Sequence, residues 1–212
     1  MTDFQNDPLT PPEIHVEPPY PGAIQDELAW HLVKYLPEDA RLETEVAFEL
    51  PQSGHFGPAF FTVDLVVTLA TGTRIGFDVS GSHRNLRDHD RLLRRDATLL
   101  DSGSVQTLYR LRGSDLLHRI EDVLWLASEW DPAAFSARGA INLRTLALPE
   151  TKAAKPRPEQ PSVLVSYPLD GEPFDAPERN LWHVANGKLP HILVRRLSVE
   201  NAAVWKPYAS TR

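Results

Sequence analysis

Two aspartates, Asp64 and Asp78, stand in neighbouring apolar segments of the chain, FFTVDLVVTL and RIGFDVSG, which a short Ala-Thr-Gly-Thr turn separates. Alternating apolar and polar residues on both sides of a turn predict a β-hairpin. A three-residue loop with Gly72 in the left-handed conformation would place Asp64 directly opposite Asp78. Directly opposed side chains have Cβ atoms about 5 Å apart, and two like charges at that distance destabilise a sheet. The hairpin therefore needs a compensating positive group or a proton.

Three kinds of group could compensate the two carboxylates: a divalent cation, an arginine such as Arg74, or a proton on one carboxyl, because paired acids at this distance do not both ionise readily. Hard oxygen ligands favour Mg²⁺ or Mn²⁺. Mg²⁺ usually takes one or two protein carboxylates and keeps its other positions for water and phosphate oxygens. Asp64 and Asp78 are therefore candidate metal ligands. The plainer alternative is that both are solvated or paired with arginine.

Ser80 and His83 follow the second strand, where the chain turns towards an arginine-rich segment. An imidazole with an ordinary pKa near 6.5 can take a proton from an attacking water or give one to a leaving oxygen. His83 is therefore a candidate general base or acid, although a single histidine more often serves as a surface or capping residue. The segment 84–119 carries eight arginines and five aspartates, so a phosphate-facing surface is a second candidate feature.

The composition excludes several classes of protein. The chain has 212 residues, 42% of them hydrophobic, and no cysteine, which excludes disulfides, a thiolate nucleophile and a cysteine zinc site. No segment approaches the run of about 18 apolar residues that a membrane span needs. The acidic, proline-containing N-terminus lacks the features of a signal peptide, so we expect a cytoplasmic protein. A net charge of −7 argues against a generally basic nucleic-acid coat protein.

Hydrophobic spacing predicts the elements that must position these residues. Their expected ranges in chain order are a helix over 24–36, a strand over 41–50, the hairpin, a helix over 86–100, a strand over 105–111 and a helix over 115–130. Pro37 stops the first helix, a left-handed Gly103 ends the second, and Ser114 caps the third. The period of two in the first hairpin strand puts Val63 and Leu65 on one face.

The two ends of the chain differ from this middle part. Six prolines in residues 1–22 predict an extended acidic arm, since proline fixes φ and removes a hydrogen-bond donor. A candidate strand at 141–148 completes a main domain over 23–148, and a proline- and charge-rich linker at 149–161 leads to an extension at 162–212. The expected fold class is α/β: a central mixed β-sheet of four or five strands flanked by helices, with a small β-rich C-terminal extension.

The strings VDLVV, GFDVSGSH, RRDATLLDSG and VQTLYRL, in this order and spacing, resemble the PD-(D/E)XK restriction-endonuclease-like superfamily, and within it the very-short-patch-repair type, over about residues 24–128. That pattern has an N-terminal helix with a glutamate, a strand aspartate, and an acidic residue on the next strand followed by Asp-Gly and a histidine. A helix with arginine and aspartate and a strand reading like V-L-R come after these. The matching residues here are Glu27, Asp64, Asp78, Ser80, Gly81, His83, Arg95, Asp96, Leu99, Gly103 and 105–110.

Two positions depart from that pattern. Ser80 stands where the pattern has aspartate before the glycine, and His83 follows Gly81 by two positions where the pattern has three. Members of the wider superfamily also place a lysine two residues after the second acid, where it helps to activate water, and Ser80 occupies that place as well. A divalent ion lowers the pKa of bound water without a lysine, so an active site and a degenerate site both stay open.

The resemblance implies a metal-dependent DNA endonuclease, acting in restriction, repair or defence against mobile elements. It implies that Asp64 and Asp78 hold Mg²⁺ or Mn²⁺. Glu27 would add a carboxylate through water or orient the nucleophile, His83 would act as general base or acid, and Ser80 would donate a hydrogen bond. The DNA backbone would contact the arginines of the second helix, which are Arg87, Arg91, Arg94 and Arg95. For Arg95, a structural ion pair with Asp96 is the alternative.

Two further interpretations stay open. One is a catalytically degenerate nuclease-fold module that binds nucleic acid or a protein partner through residues 162–212, which are also a candidate surface for a homodimer. The other is a structural α/β protein whose acidic N-terminal arm occupies the basic face of its own or a neighbouring chain. Loss of metal binding favours the first, and salt-sensitive self-association favours the second. None of these interpretations involves a membrane.

Overall fold

The computed structural model describes residues 22–50, 59–80, 86–167 and 191–204, so residues 1–21 of the predicted arm lie outside the described residues. Within these ranges the helices are α1 (Ala23–Tyr35), α2 (Leu86–Asp101), α3 (Gly113–Trp130), α4 (Ala137–Leu146) and α5 (Pro149–Ala154). The strands are β1 (Arg41–Leu50), β2 (Ala59–Thr68), β3 (Arg74–Ser80), β4 (Thr107–Arg112), β5 (Ser162–Ser166) and β6 (His191–Ser198). Two short 3-10 helices, Pro132–Ala134 and Val199–Val204, follow α3 and β6.

The six strands of these ranges form one mixed sheet in the order β1-β2-β3-β4-β6-β5. β3 and β4 are parallel and joined through α2, and every other neighbouring pair is antiparallel. The helices flank this sheet, so the predicted α/β class with a central mixed sheet is confirmed. The sheet has six strands where four or five were expected, because β5 and β6 of the C-terminal extension continue it next to β4.

Apolar side chains on the two faces of the sheet build two cores. One lies between the sheet and the helices α1 and α3, and it contains the fully buried Leu32, Phe77 and Leu124. The other lies between the opposite face and α2, and it contains Val66 and Leu99. Each such side chain contributes about 1.5–3 kcal/mol when it is removed from water. α1 and α2 therefore cover opposite faces, which decides what each helix can contribute to a site.

The boundaries of α1 and α2 agree with the sequence. α1 ends at Tyr35, just before Pro37. Gly103 after α2 and Gly72 in the hairpin turn have φ values of 70° and 83°, in the left-handed region that favours glycine. None of the helices in the described ranges combines the length and the apolar character needed to cross a membrane.

The candidate strand at 141–148 is wrong, because most of this segment lies in α4. Ser136 caps α4: its Oγ accepts a hydrogen bond from the backbone N–H of Gly139 at 2.9 Å. A short apolar run does not by itself distinguish a strand from a helix, and the capping serine was the signal that favours the helix.

Two other predicted boundaries also differ. α3 begins at Gly113 with Arg112 in the N-cap position and no side-chain cap bond, so Ser114 is not the cap. The linker predicted at 149–161 contains the short helix α5, which begins at a proline, a residue that the first turn of a helix tolerates. The described segment 132–161 is therefore more helical than its proline and charge content suggested.

Gly139 makes a very close contact between α4 and α1. A Cβ atom on this residue would lie 2.2 Å from the carbonyl oxygen of Tyr35, at the end of α1. We expect Gly139→Ala to destabilise the fold by about 1–2 kcal/mol, because the helices must separate to admit the methyl group, and this outweighs the higher helix propensity of alanine. Urea unfolding measures the change. Arg144→Ala, on the exposed side of α4, is the control and should stay within about 0.5 kcal/mol of the wild type.

Candidate functional site

The hairpin of β2 and β3 positions the two aspartates. Its residues pair in the predicted register, and Leu65–Phe77 is the last pair. The pairing stops one residue before Asp64 and Asp78 would face each other. Asp64 Oδ2 instead accepts a hydrogen bond from the backbone N–H of Val79 at 2.7 Å. The two aspartates therefore lie where the strands separate, close enough for the charge of Asp78 to raise the pKa of Asp64.

A second interruption lies on the other side of Asp64, between β1 and β2. These strands pair on both sides of Glu45 and Asp64, but the two residues themselves do not pair. Glu45 has a φ of 47°, which is uncommon for a residue other than glycine. Across the interruption the strand changes face: Val63 packs in the core under α2, and Leu65 packs in the core under α1 and α3. The prediction that both share one face is wrong, because the period of two holds only along an uninterrupted strand.

Asp78 is only 4% exposed, and arginine balances its charge. In the parallel pairing of β3 with β4, Asp78 lies beside Arg110, and Arg110 Nη1 donates to Asp78 Oδ2. Arg95 of α2 donates to the same oxygen from its Nη2 at 2.8 Å. Arg74, the arginine considered from the sequence, instead lies over the ring of Phe48, 4.8 Å from the ring centroid. Two guanidinium groups thus hold one oxygen of Asp78.

Asp96 of α2 joins the two arginines. It is 1% exposed, and its two oxygens accept from Arg110, with Nε 2.7 Å from Oδ2 and Nη2 bonded to Oδ1. Arg95 Nε lies 3.3 Å from the same Oδ1, and Arg95 Nη1 lies 3.3 Å from the carbonyl oxygen of Thr62. Buried ions are tolerated when they are paired and hydrogen-bonded, as here. We name this group the aspartate-arginine cluster; its members are Asp64, Asp78, Arg95, Asp96 and Arg110.

The aspartate-arginine cluster contains three carboxylates and two guanidinium groups. Burial, followed by the charge of Asp78, raises the pKa of Asp64 to about 6. The N–H of Val79 and the two arginines act in the opposite direction but only in part. Burial lowers the pKa of Arg110, but the carboxylates around it raise that pKa more, so this side chain stays a cation. With all groups ionised, the cluster has one negative charge in excess.

The carboxylate oxygens of Asp64 and Asp78 are the atoms of the cluster that a divalent cation would contact. Asp64 and Asp78 each have Oδ2 bonded to a donor, whereas Oδ1 of each accepts no hydrogen bond from the described residues. No group of three or more His, Cys, Asp or Glu side chains that could hold a metal ion occurs within the described ranges. From the described residues, an ion at this place would therefore have two carboxylate ligands, a number that Mg²⁺ commonly takes together with water and substrate oxygens.

Of the other predicted site residues, Glu27 is not brought into the cluster, and Ser80 and His83 lie partly or wholly outside the described residues. Glu27 is exposed on α1, which covers the opposite face of the sheet from α2, and its carboxylate lies 3.2 Å from Nε2 of His31. Within the described residues, the structure thus separates Glu27 from the two aspartates. Ser80 is the last residue of β3, but its side chain lies outside the described residues, and so does all of His83.

The four arginines predicted to contact DNA all belong to α2. Arg94 is exposed. The side chain of Arg95 is 16% exposed and bonded to Asp78 and Asp96, so the alternative of a structural ion pair is present in the structure. The side chains of Arg87 and Arg91 lie outside the described residues.

Arg110 is the member of the cluster to which sequence analysis assigned no role. The string VQTLYRL marks its strand, but the contact with Asp78 depends on β4 lying parallel to β3 and next to it. Parallel strands are joined by long crossovers, so no local pattern specifies which residues they bring side by side.

Comparison of the chain with protein-family models, with curated proteins and with solved structures finds no significant match. The geometry of the aspartate-arginine cluster and the order of the elements that carry it are therefore what bear on function.

Proposed function

We propose that this chain is a metal-dependent nuclease that hydrolyses phosphodiester bonds of DNA, with Asp64 and Asp78 as the residues that hold Mg²⁺ or Mn²⁺. One observation carries the proposal: the two carboxylates lie where β2 and β3 separate, close enough to interact electrostatically, and each keeps an oxygen to which no described residue donates. The excess negative charge of the cluster is of the sign that attracts a cation. Such sites attract the hard divalent ions that bind phosphate oxygens.

The order of the elements supports the proposal as well. Along the chain follow α1, β1, β2 with Asp64, β3 with Asp78, α2 with Arg95 and Asp96, and β4 with Arg110. The resemblance to restriction-endonuclease-like proteins implies the same order for the elements that carry its residues: a helix, a strand with aspartate, a strand with an acid, a helix with arginine and aspartate, and a further strand.

A divalent ion, when bound, lowers the pKa of water and polarises the phosphate. The residues of the chain bind the ion and orient the substrate. In this proposal Asp64 and Asp78 bind the ion, and Arg94, which is exposed on α2, contacts the DNA backbone. Proton transfer by His83 remains part of the proposal, whereas Glu27, on the other face of the sheet, has no role in it. The proposed activity belongs to the cytoplasm, in restriction, repair or defence against mobile elements.

The test is cleavage of supercoiled, linear and single-stranded DNA by the full chain in Mn²⁺, Mg²⁺ or EDTA. We expect cutting with either metal, none with EDTA, and a fall of at least about 100-fold in Asp78→Asn, since removal of a ligand costs at least as much as removal of a group behind it. Asp122→Asn is the matched control. Asp122 is also a buried carboxylate, but it accepts the backbone N–H of Leu148 at 2.8 Å and lies in α3, away from the cluster. Equal activity of Asp78→Asn and the wild type would refute the proposed site.

The second candidate function is a nuclease-fold module that binds nucleic acid or a protein and does not cut. The contact of both Arg95 and Arg110 with Asp78 favours it, because these arginines balance that carboxylate without a metal ion. This candidate predicts no cleavage of any DNA substrate, no calorimetric signal with Mn²⁺, and partner binding that is the same in EDTA.

A further inference from the structure

Arg110 links two carboxylates through three different nitrogen atoms. Its Nε and Nη2 donate to the two oxygens of Asp96, and its Nη1 donates to Oδ2 of Asp78. A guanidinium group is planar and its donors have fixed directions. Because Asp96 holds one edge of this plane, the position of Nη1 is fixed. The bond from Nη1 in turn fixes Oδ2 of Asp78.

The two arginines contribute unequally to this arrangement. The side chain of Arg110 is 10% exposed and makes a two-bond contact with Asp96, whereas Arg95 is more exposed and approaches Asp96 through one nitrogen at 3.3 Å. Both donate to Oδ2 of Asp78, and neither donates to Oδ1. The carboxylate of Asp78 is thereby kept from rotating, with Oδ1 as the oxygen that the arginines leave for another ligand.

We propose that Arg110 and Asp96 are positioning residues of the Asp64–Asp78 metal site: Asp96 fixes Arg110, and Arg110 fixes Asp78 so that Oδ1 is presented to the cation. This inference depends on the proposed function, because it assigns residues to the same site. Groups that hydrogen-bond the ligands of a metal orient those ligands, and their substitution typically lowers metal affinity about 10–100-fold. Arg110 touches neither the ion nor the substrate in this role.

The experiment is a titration of the full chain with Mn²⁺ alone, without DNA, followed by the electron paramagnetic resonance signal of free Mn²⁺ and by calorimetry. Arg110→Lys keeps the charge but cannot hold two carboxylates in a fixed plane. We expect its Kd for Mn²⁺ to rise about 10–100-fold. Asp96→Asn keeps an acceptor for Arg110 with a weaker bond, and its Kd should rise as well. If Arg110→Lys does not fold, the Mn²⁺ affinity of Asp96→Asn tests the inference instead.

Arg196→Lys is the matched control for general destabilisation. Arg196 is a second buried arginine, 4% exposed, and its Nη2 and Nε hold the two oxygens of Asp131 at 2.8 and 2.9 Å. That pair lies at the end of α3, outside the aspartate-arginine cluster. Both lysine variants should lower the Tm, but only Arg110→Lys should weaken Mn²⁺ binding.

The possible results separate this inference from the proposed function. If Arg110→Lys and Asp96→Asn bind Mn²⁺ as the wild type does, Arg110 is only a structural ion and the inference is overturned, while the proposed function stands. Tighter binding overturns it too, because the arginine would then compete with the metal for Asp78. If the wild type binds no Mn²⁺ at millimolar concentration, the proposed metal site is refuted and the inference with it.

Discussion

Asp96→Ala is expected to lower the free energy of unfolding by about 3–5 kcal/mol, the cost typical of removing one partner of a buried ion pair. Asp96 accepts two hydrogen bonds from Arg110 and one from Arg95. Without it, Arg110 keeps the bond to Asp78 alone, and its charge stays buried with too few partners. Urea unfolding followed by circular dichroism at pH 7 measures the change.

Glu159→Ala is the control for this prediction. Glu159 pairs with Arg157 at 3.9 Å on the surface, where both side chains are exposed. Exposed ion pairs contribute about 0–1 kcal/mol, so this variant should remain close to the wild type. A loss below about 1 kcal/mol in Asp96→Ala would mean that water replaces the carboxylate, and it would contradict a closed aspartate-arginine cluster.

Asp64→Asn is expected to stabilise the protein above pH 7 and to change little near pH 4. Burial and the charge of Asp78 raise the pKa of Asp64 in the folded protein from 3.8 to about 6. Between these values the folded protein binds a proton that the unfolded chain has already lost. The wild type therefore loses stability as the pH rises from about 4 to about 6, and it stays at the lower level above that range.

The size of this effect follows from the same two pKa values. The difference between the two pKa values corresponds to at most about 3 kcal/mol in the free energy of unfolding. Asparagine avoids that cost and keeps an oxygen that can accept the N–H of Val79. Unfolding of both proteins at several pH values from 4 to 8 measures the difference between them. Asp101→Asn, at the exposed end of α2, is the control and should change stability by less than about 0.5 kcal/mol. A difference between Asp64→Asn and the wild type that does not vary with pH would be inconsistent with a partly buried Asp64 whose pKa is raised.

The hairpin was predictable because its determinants are contiguous in the chain. The turn glycine, the loop length and the alternation of apolar residues together specify the register, up to the pair Leu65–Phe77. The separation of the strands beyond that pair was not predictable. It coincides with the hydrogen bond from the backbone N–H of Val79 to Asp64 and lies beside the interruption of β1 and β2 at Glu45, an arrangement that only the folded sheet brings together.

The groups that surround Asp78 depend on contacts between distant parts of the chain. Arg110 is 32 residues away from Asp78 and reaches it only because α2 returns the chain to a parallel neighbouring strand. The side of the sheet that a helix covers is also decided by tertiary packing. Spacing predicted α1 correctly but not the face of the sheet on which it lies, and the resemblance that assigned Glu27 to the site does not specify that face for this chain.

β6 lies between β4 and β5, although it is the last of the described strands in the chain. During synthesis, β1 to β4 can pair as they leave the ribosome, but one edge of β4 has no strand beside it until 191–198 has been made. In the described sheet β5 pairs with β6 alone, so β5 also cannot join the sheet until residues 191–198 have been made. Until then β4 is an edge strand with unpaired backbone N–H and C=O groups, and such an edge is a template for pairing with other chains. A nascent chain that stalls before His191 would thus hold a formed hairpin and an unprotected strand, and the synthesis of β6 is what removes that hazard.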